Sequence, residues 1–256
     1  LICLLVSVIA VQGAAVTFAS VANDTRQMTF GYSTSTVSSC SSGSGTDACA
    51  LADGSGVLFT ADPRNDERKL FVVSTGAEKR GQVKLVSQAD PVDNKDVDNF
   101  WMSPDQSWVV FKGQLEINNV DELFANGVWG GDISRISGPV PNGGANNNPS
   151  LAFKPDSGRV MWYAQQAPFQ GGNIPELFTN VRSGDSLKKL NQDLQQNTSA
   201  TQEKSVARCD IGLVNEGVVY YANPGLTGND DPRNLYVVNW DGSNRKQISP
   251  TSGNPS

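Results

Sequence analysis

Short segments in which apolar and polar residues alternate recur along this chain at intervals of about 50 residues. Each copy begins with an Asp or Asn, followed four residues later by an aliphatic residue and six residues later by an aromatic one. A spacing of two residues puts both side chains on one face of a β-strand, so each copy predicts a strand with one apolar face. The three positions of the four copies are occupied by Asp53, Val57 and Phe59; Asp105, Val109 and Phe111; Asp156, Val160 and Trp162; Asn215, Val219 and Tyr221.

The second half of each copy contains a Leu followed by an aromatic residue, and a glycine five or six residues beyond the aromatic. The glycine predicts a hairpin turn, because glycine adopts a positive φ without steric cost. An aliphatic residue follows six positions after that glycine in the last three copies, whereas a short insertion delays it to Leu85 in the first. The Leu-aromatic pairs are Leu70-Phe71, Leu123-Phe124, Leu177-Phe178 and Leu235-Tyr236. The glycines are Gly76, Gly130, Gly184 and Gly242, and the aliphatic residues six positions later are Ile136, Leu190 and Ile248.

Each copy therefore predicts four short strands, and a single four-stranded sheet cannot bury both of its faces. Radial stacking of such sheets buries them against one another, which is the architecture of a β-propeller. A β-sandwich is the competing architecture, but it does not require a repeat of this length. The predicted fold class is all-β, a β-propeller of four-stranded blades with about four to five blades present in an incomplete ring. The predicted blades are 47–87, 97–137, 147–191 and 205–250, with a partial copy at 16–46.

Three segments resemble a known repeat. Ser103-Pro104-Asp105-Gln106, Lys154-Pro155-Asp156-Ser157-Gly158 and the stretch from Asn234 to Asn244 are similar to the TolB-like β-propeller repeat, over residues of about 47 to 250. That family carries a Ser-Pro-Asp-Gly turn before an apolar strand, and a later strand that ends in Asp-Gly. The sequence departs from the pattern at Gln106 and at Asn215-Glu216. We expect no counterpart of the α/β domain that precedes the propeller in TolB, because the predicted signal peptide leads almost directly into the repeats. Because Asn254-Pro255-Ser256 repeats Asn148-Pro149-Ser150, we expect the sequence to be a piece of a longer protein.

The N-terminal segment Leu1–Ala15 is apolar and ends in small residues, which is typical of a signal peptide. It is shorter than the roughly 20 residues that span a bilayer, and the alternative is a buried first strand of the fold. We expect a secreted or periplasmic protein that begins its propeller at residue 16. In such a compartment Cys40 and Cys49, which flank a Gly/Ser-rich loop, are expected to form a disulfide, although two free thiols are the alternative.

Composition narrows the possible functions. The 256 residues carry a net charge of −6, with a pI near 4.7, which disfavours a nucleic-acid surface because such surfaces need clustered Lys and Arg. The chain has no histidine, so it contains no Ser-His-Asp or Cys-His catalytic arrangement and no His-ligated metal site. No cofactor is predicted, apart from a calcium ion.

The calcium hypothesis rests on an acidic stretch just before the second blade. Asn94, Asp96 and Asp98 stand at positions 1, 3 and 5 of a pattern that resembles a calcium loop, with Asp105 at position 12. The sixth position is Asn99 rather than the usual glycine, and position 12 is Asp rather than Glu. A solvated acidic loop is the alternative interpretation.

A second interpretation of the same stretch concerns ligand binding. In these repeats the segment that enters the innermost strand opens onto the central channel, and loops on a rigid scaffold commonly carry binding residues. A polar rim without a ligand is the alternative. The residues predicted at this channel mouth are Asp98, Asn99, Asn147, Asn148 and Arg208.

These features predict an exported, non-catalytic binding or scaffold module that recognises a protein or a saccharide at the channel mouth, with no nucleic acid and no membrane span. One alternative is the propeller domain of a prolyl-oligopeptidase-like serine peptidase. The other is the propeller of a polysaccharide-active enzyme, although no carboxylate pair stands out among the 26 acidic residues.

Overall fold

The computed structural model describes residues 17–19, 25–27, 48–62, 68–87, 96–116, 120–138, 150–164, 176–191, 212–214, 217–222 and 234–249. Within these residues the chain forms β-strands and turns, and no helix occurs among them. Every sheet is antiparallel, and one has two strands while the other four have four strands each. The all-β propeller class predicted from the sequence is confirmed.

The described residues contain eighteen strands. They are β1 Thr17–Ala19, β2 Thr25–Gln27, β3 Ala48–Ala50, β4 Gly56–Ala61, β5 Lys69–Ser74, β6 Val83–Leu85, β7 Val97–Met102, β8 Trp108–Gly113, β9 Glu122–Gly127, β10 Ser134–Arg135, β11 Ser150–Phe153, β12 Val160–Ala164, β13 Glu176–Asn180, β14 Lys188–Lys189, β15 Gly212–Val214, β16 Gly217–Ala222, β17 Asn234–Asn239 and β18 Lys246–Gln247.

The four-stranded sheets are built from consecutive strands, each paired with the next along the chain. We call them the first blade (β3–β6), the second blade (β7–β10), the third blade (β11–β14) and the fourth blade (β15–β18). Turns of five or six residues connect the first and second strands of the first three blades, at residues 51–55, 103–107 and 154–159. β1 and β2 form the separate two-stranded sheet.

One stacked aromatic pair marks the same position in all four blades, on facing residues of the second and third strands. Each pair buries two rings on one face of its blade, and burying one such side chain stabilises a fold by about 1.5–3 kcal/mol. The ring centroids are 5.6, 5.8, 6.0 and 5.5 Å apart in Phe59–Phe71, Phe111–Phe124, Trp162–Phe178 and Tyr220–Tyr236, respectively.

The expectation for the fourth blade was wrong by one residue. Tyr220, rather than Tyr221, forms the aromatic pair, and Val218 rather than Val219 takes the aliphatic position. The connection between the first two strands is shorter in the fourth blade. Four residues separate the facing pair Leu213 and Val218, whereas six separate the equivalent pair Phe153 and Val160 of the third blade. A slip of one residue moves every side chain of a strand to its other face, so the counting from Asn215 selected the wrong face.

The third hairpin of the first blade also differs from the expectation. Gly81, with φ of 80°, adopts the left-handed conformation there, and Gly76 does not. The aliphatic residue that follows the outer strand is Val86 rather than Leu85, since the Val86 N–H donates to the Leu70 carbonyl as the Leu190 N–H donates to the Leu177 carbonyl. The insertion therefore lies before the turn glycine.

The chain divides into two compact units, residues 1–134 and 135–256. In the first unit the aliphatic face of the first blade packs against the aromatic face of the second blade. Leu58, Leu70 and Val72 from one side meet Val109, Phe111 and Phe124 from the other. A glycine is required at this interface, because a Cβ on Gly56 would lie 2.7 Å from the Trp129 ring.

The second unit repeats this arrangement. Met161 and Leu177 on the aliphatic face of the third blade pack against Val218, Tyr220 and Tyr236 on the aromatic face of the fourth blade. In both units the core therefore lies between neighbouring sheets. Aliphatic-on-aromatic packing is the recurring contact between blades.

Candidate functional site

Asp98, one of the residues predicted at the channel mouth, occupies a β-bulge. It lies on β7, the edge strand of the second blade, where Val97 faces Gly113 and Asn99 faces Lys112. Asp98 is therefore the extra residue between two regular pairs. Bulges of this kind redirect a side chain and often lie beside functional sites.

The redirected carboxylate of Asp98 joins a cluster of charged side chains. The Lys112 Nζ lies 2.8 Å from the Asp98 Oδ2 and 3.1 Å from the Asp121 Oδ2, and the Gln114 Nε2 donates to the other Asp121 oxygen at 3.1 Å. The side chains of Lys112 and Asp121 are 7% and 13% exposed, whereas that of Asp98 is 41% exposed. Two carboxylates around one ammonium leave the cluster with a net negative charge that is accessible at Asp98.

The ionisation of Lys112 reflects two opposing effects. Burial by itself lowers the pKa of Lys112, but the hydrogen bonds to Asp98 and Asp121 outweigh it and leave that pKa above its ordinary value. Lys112 therefore remains charged at neutral pH and holds the Asp98 carboxylate in place. The cluster is a pre-ordered hydrogen-bond acceptor that faces solvent.

Backbone contacts fix the segment that leads into the bulge. The Asp96 Oδ1 accepts the Arg68 N–H at 2.7 Å, and the Asp96 carbonyl accepts the Gln114 N–H at 3.2 Å. Gly113 permits this approach, since a Cβ there would lie 2.7 Å from the Asp96 carbonyl oxygen. The carboxylate of Asp96 thus ties the second blade to the first, and it has a structural role.

The calcium hypothesis stays a prediction. Asn94 lies outside the described residues, the Asp96 carboxylate accepts a backbone N–H, and the Asp98 carboxylate faces an ammonium group. Among the described residues, no group of three or more His, Cys, Asp or Glu is placed to hold a metal ion. Thermal unfolding with calcium and with a chelator tests the hypothesis, since a loop that binds calcium would raise the Tm with the ion present.

The other predicted site residues have a mixed outcome. Asn99 follows Asp98 on β7 and is partly buried, while Asn147, Asn148 and Arg208 lie outside the described residues. Lys112 and Asp121, which complete the cluster, were missed. The signal for Lys112 was a lysine within the otherwise apolar strand Trp108–Gly113.

The predicted disulfide has one described member. Cys49 is buried on β3, whereas Cys40 and the predicted signal segment Leu1–Ala15 lie outside the described residues. The pairing of Cys40 with Cys49 and the leader therefore remain predictions.

A second polar feature is a shallow cleft of about 210 Å³ in the second unit, lined by Lys154, Arg159, Asn239, Trp240 and Asp241. Two of its charged side chains have partners among the neighbouring residues. The Lys154 Nζ lies 2.5 Å from Asp156, and hydrogen bonds from the Ser243 hydroxyl and N–H lower the pKa of Asp241.

Comparison with known proteins relates the chain to propellers by structure rather than by sequence. No protein-family model matches the sequence, and no curated protein matches it either. Dipeptidyl peptidase 4 of Porphyromonas gingivalis is similar, with a TM-score of 0.56 at 13% identity over 93% of this chain and 36% of that one. A Bacteroides ovatus protein described as a dipeptidyl aminopeptidase IV gives a TM-score of 0.51 at 14% identity, over 94% of this chain and 40% of that one.

TolB of Acinetobacter baumannii also aligns, with a TM-score of 0.42 at 14% identity over 93% of this chain. The chain spans about half, 49%, of the length of that TolB. At these identities the likeness concerns the fold, and the predicted resemblance to a TolB-like propeller is confirmed at that level. The described residues include no helix of the length and hydropathy that a membrane span needs.

Proposed function

We propose that this chain is an exported binding module, without catalysis of its own, that recognises a protein or a saccharide at the channel mouth. The observation that carries the proposal is the bulge at Asp98, where a buried lysine holds a half-exposed carboxylate on the edge strand of a rigid sheet. A group that is already ordered loses little conformational entropy when a ligand arrives.

The chemistry of the bulge suits a ligand that donates hydrogen bonds. A carboxylate at Asp98 and the neighbouring amide of Asn99 can accept from sugar hydroxyls or from peptide N–H groups. The proposal extends the site to Asn147, Asn148 and Arg208, which the repeat pattern assigns to equivalent entries of other blades. The absence of histidine from the sequence is consistent with binding rather than acyl transfer.

Binding is tested with two probes, a printed polysaccharide array and the extracytoplasmic proteins of the source organism captured by cross-linking. Wild-type protein is compared with Asp98→Asn and Asn99→Ala, and Glu78→Gln on the β5–β6 hairpin serves as the control for loss of one exposed charge. We expect each site variant to bind at least about tenfold more weakly than wild type, which corresponds to about 1.4 kcal/mol of binding free energy. Equal binding by all variants, or binding to neither probe, would overturn the proposal.

Export is tested separately from binding. If Leu1–Ala15 is a cleaved leader, the mature protein recovered outside the cytoplasm begins at Val16. N-terminal sequencing of the exported protein gives the answer, and retention of Leu1 in that protein contradicts the leader.

A second candidate function follows from the two structural neighbours with TM-scores of 0.56 and 0.51, whose descriptions name dipeptidyl peptidases. On this hypothesis the chain is the propeller domain of a serine peptidase. A Gly-x-Ser-x-Gly motif encoded downstream in the same reading frame would support this candidate over the binding module. Its absence from the complete coding region would exclude it.

A further inference from the structure

The cleft of the second unit lies between two turns, the one that joins β11 to β12 and the one that joins β17 to β18. Lys154 and Arg159 line it from the third blade, and Asn239, Trp240 and Asp241 line it from the fourth. Trp240 is 3% exposed and belongs to the core between these two blades, so one wall of the cleft is part of a packed core. The cleft follows β11, whereas the predicted channel mouth precedes that strand.

The first unit shows how the equivalent place can be closed. Gly56 and Arg159 occupy the same position, three residues before the first ring of the aromatic pair in their blades. Trp129 and Asp241 also correspond, because each directly precedes the positive-φ glycine of its hairpin. In the first unit the Trp129 ring covers Gly56 so closely that a Cβ there would lie 2.7 Å from the ring. In the second unit the two positions carry opposite charges, and both line an open cleft.

Arg159 and Asp241 form no direct ion pair with each other or with another described residue. The one side-chain hydrogen bond of Arg159 in the described part of the chain runs from Nη1 to the Ser186 carbonyl and is 3.5 Å long, which is weak. The pKa of Asp241 is lowered mainly by hydrogen bonds from Ser243 and further by the charge of Arg159. The two groups therefore lie near enough to attract each other without touching.

The hydrogen-bonding groups that remain in the cleft are divided between the same two residues. The guanidinium of Arg159 carries five N–H donors, most of them unused within the described residues. The Asp241 Oδ1 accepts the Ser243 N–H at 2.9 Å and the Ser243 hydroxyl at 2.7 Å, but no described donor reaches Oδ2. Lys154 is already paired with a carboxylate, and the Asn239 amide donates to the Ser243 hydroxyl at 2.9 Å. The cleft thus offers donors at one charged residue and an acceptor at the other.

We propose that this cleft binds a small, polar, free α-amino acid, with its carboxylate on Arg159 and its ammonium group on Asp241. A guanidinium holds a carboxylate through two parallel hydrogen bonds, and a carboxylate oxygen accepts from an ammonium group. A ligand with a single charge would leave one of the two residues without a counter-charge. The volume of about 210 Å³ limits the ligand to a small one, and the side chains of Lys154 and Asn239 favour a polar one.

The ligand side of the proposal is tested with three probes of nearly equal size. L-serine carries both charges, N-acetyl-L-serine lacks the ammonium group, and L-serinamide lacks the carboxylate. Titration of the full chain, followed by NMR of the ligand at low salt, should give a Kd on the order of 1 mM for L-serine, as expected for so few ligand atoms. Each analogue should bind at least about tenfold more weakly, because it loses a charge-assisted hydrogen bond. Equal binding of the three probes, or no binding of L-serine, would refute the proposal.

The protein side is tested with variants that should each remove one preference. Arg159→Gln should bind L-serine at least about tenfold more weakly and should no longer distinguish it from L-serinamide, whereas Arg159→Lys, which keeps the charge, should be intermediate. Asp241→Asn should no longer distinguish L-serine from N-acetyl-L-serine. The matched controls are Arg182→Gln, an exposed arginine of the third blade, and Asp53→Asn, an exposed aspartate that accepts a turn N–H at 2.9 Å as Asp241 does. Both controls should bind L-serine like wild type, and a loss in the controls equal to that in the site variants would contradict the assignment.

One further variant separates this cleft from the channel mouth. Asp98→Asn should leave the binding of L-serine unchanged, because Asp98 belongs to the second blade and does not line the cleft. If Asp98→Asn abolishes that binding while Arg159→Gln retains it, the amino acid binds at the channel mouth. That result would overturn the assignment to the cleft and leave the proposed binding function standing.

Discussion

The side-chain amide of Asn126 donates a hydrogen bond to the Val86 carbonyl at 2.7 Å and so links the second blade to the first. The Asn126 Oδ1 accepts the Gly127 N–H at 2.7 Å, and the side chain is buried. Asn180 makes the equivalent bond to Ile136 in the second unit. The fourth blade has Val238 at this position, and the Tyr220 hydroxyl supplies the donor instead.

Asn126→Ala should lower the free energy of unfolding by about 1–3 kcal/mol, because it leaves the Val86 carbonyl and the Gly127 N–H buried without partners. Urea unfolding of the purified protein measures the change. Gln82→Ala, which removes an exposed amide on the β5–β6 hairpin, is the control and should change the value by less than about 0.5 kcal/mol. A loss as small as that of the control would show that the amide does not couple the blades.

Tyr220→Phe should have a smaller effect, about 0.5–1.5 kcal/mol, since it removes the hydroxyl and keeps the stacked ring. The hydroxyl donates to the Leu190 carbonyl and accepts the Arg245 Nε at 2.8 Å. The same urea measurement applies. No measurable loss in Tyr220→Phe, beside a clear loss in Tyr220→Ala, would assign the effect to ring packing rather than to the hydroxyl.

Lys112→Met should destabilise the protein, because it leaves the carboxylates of Asp98 and Asp121 close together without a cation. We expect a loss of about 1–3 kcal/mol at pH 7, below the roughly 3–5 kcal/mol of a fully buried pair, since water screens the half-exposed Asp98. The matched control is Lys79→Met, an exposed lysine on the β5–β6 hairpin, and urea unfolding compares the two.

The same substitution has a defined pH dependence. The pKa of Lys112 is raised in the folded protein, so its contribution is fully present below the unfolded pKa of about 10.4 and is lost as the pH rises through the folded value. The difference between wild type and Lys112→Met should therefore be constant near neutral pH and shrink above about pH 10. A stability difference that already shrinks between about pH 6 and 8 would contradict the assignment to Lys112, because a lysine stays protonated in that range.

The acid side of the stability curve depends on the turn aspartates. Hydrogen bonds from Ser243 lower the pKa of Asp241, and the hydrogen bond from Lys154 lowers the pKa of Asp156. Each contribution is present above the unfolded pKa of about 3.9 and is lost as the pH falls through the lower folded value. Asp241→Asn should therefore be less stable than wild type at neutral pH, and the difference should shrink as the pH falls below about 3.9. Parallel acid titrations of wild type, Asp241→Asn and Glu78→Gln measure this, and a gap that persists at low pH would point to lost turn geometry instead.

The fold was predictable because the repeat places one aromatic residue per strand in a regular register. Phe59, Phe111 and Trp162 were placed correctly by counting from the preceding Asp. The fourth copy misled the counting because Val218-Val219-Tyr220-Tyr221 doubles both residue types, so that two registers give the same alternation. Only the length of the turn before β16 decides between them, and the alternation does not reveal it.

The site was predictable only in part. The position of Asp98 at the entry of an inner strand indicated a place for a ligand, but its partners lie further along the chain, Lys112 on β8 and Asp121 directly before β9. The bulge that turns Asp98 toward Lys112 depends on the pairing of β7 with β8. The alternation of apolar and polar residues along one strand does not reveal such a bulge.

The predicted pairing of Cys40 with Cys49 can be tested by non-additivity. A disulfide that closes so short a loop stabilises a protein by about 3 kcal/mol, because it lowers the conformational entropy of the unfolded chain. Replacing either cysteine is sufficient to abolish the bond. Cys40→Ala, Cys49→Ala and the double variant should therefore lose similar stability, except for a packing loss at the buried Cys49 that the double variant shares. Unfolding with and without reductant gives the energies, and mass spectrometry of the unreduced peptides gives the bond. If Cys40→Ala is neutral in oxidising buffer, the two residues are not paired and Cys49 contributes by packing.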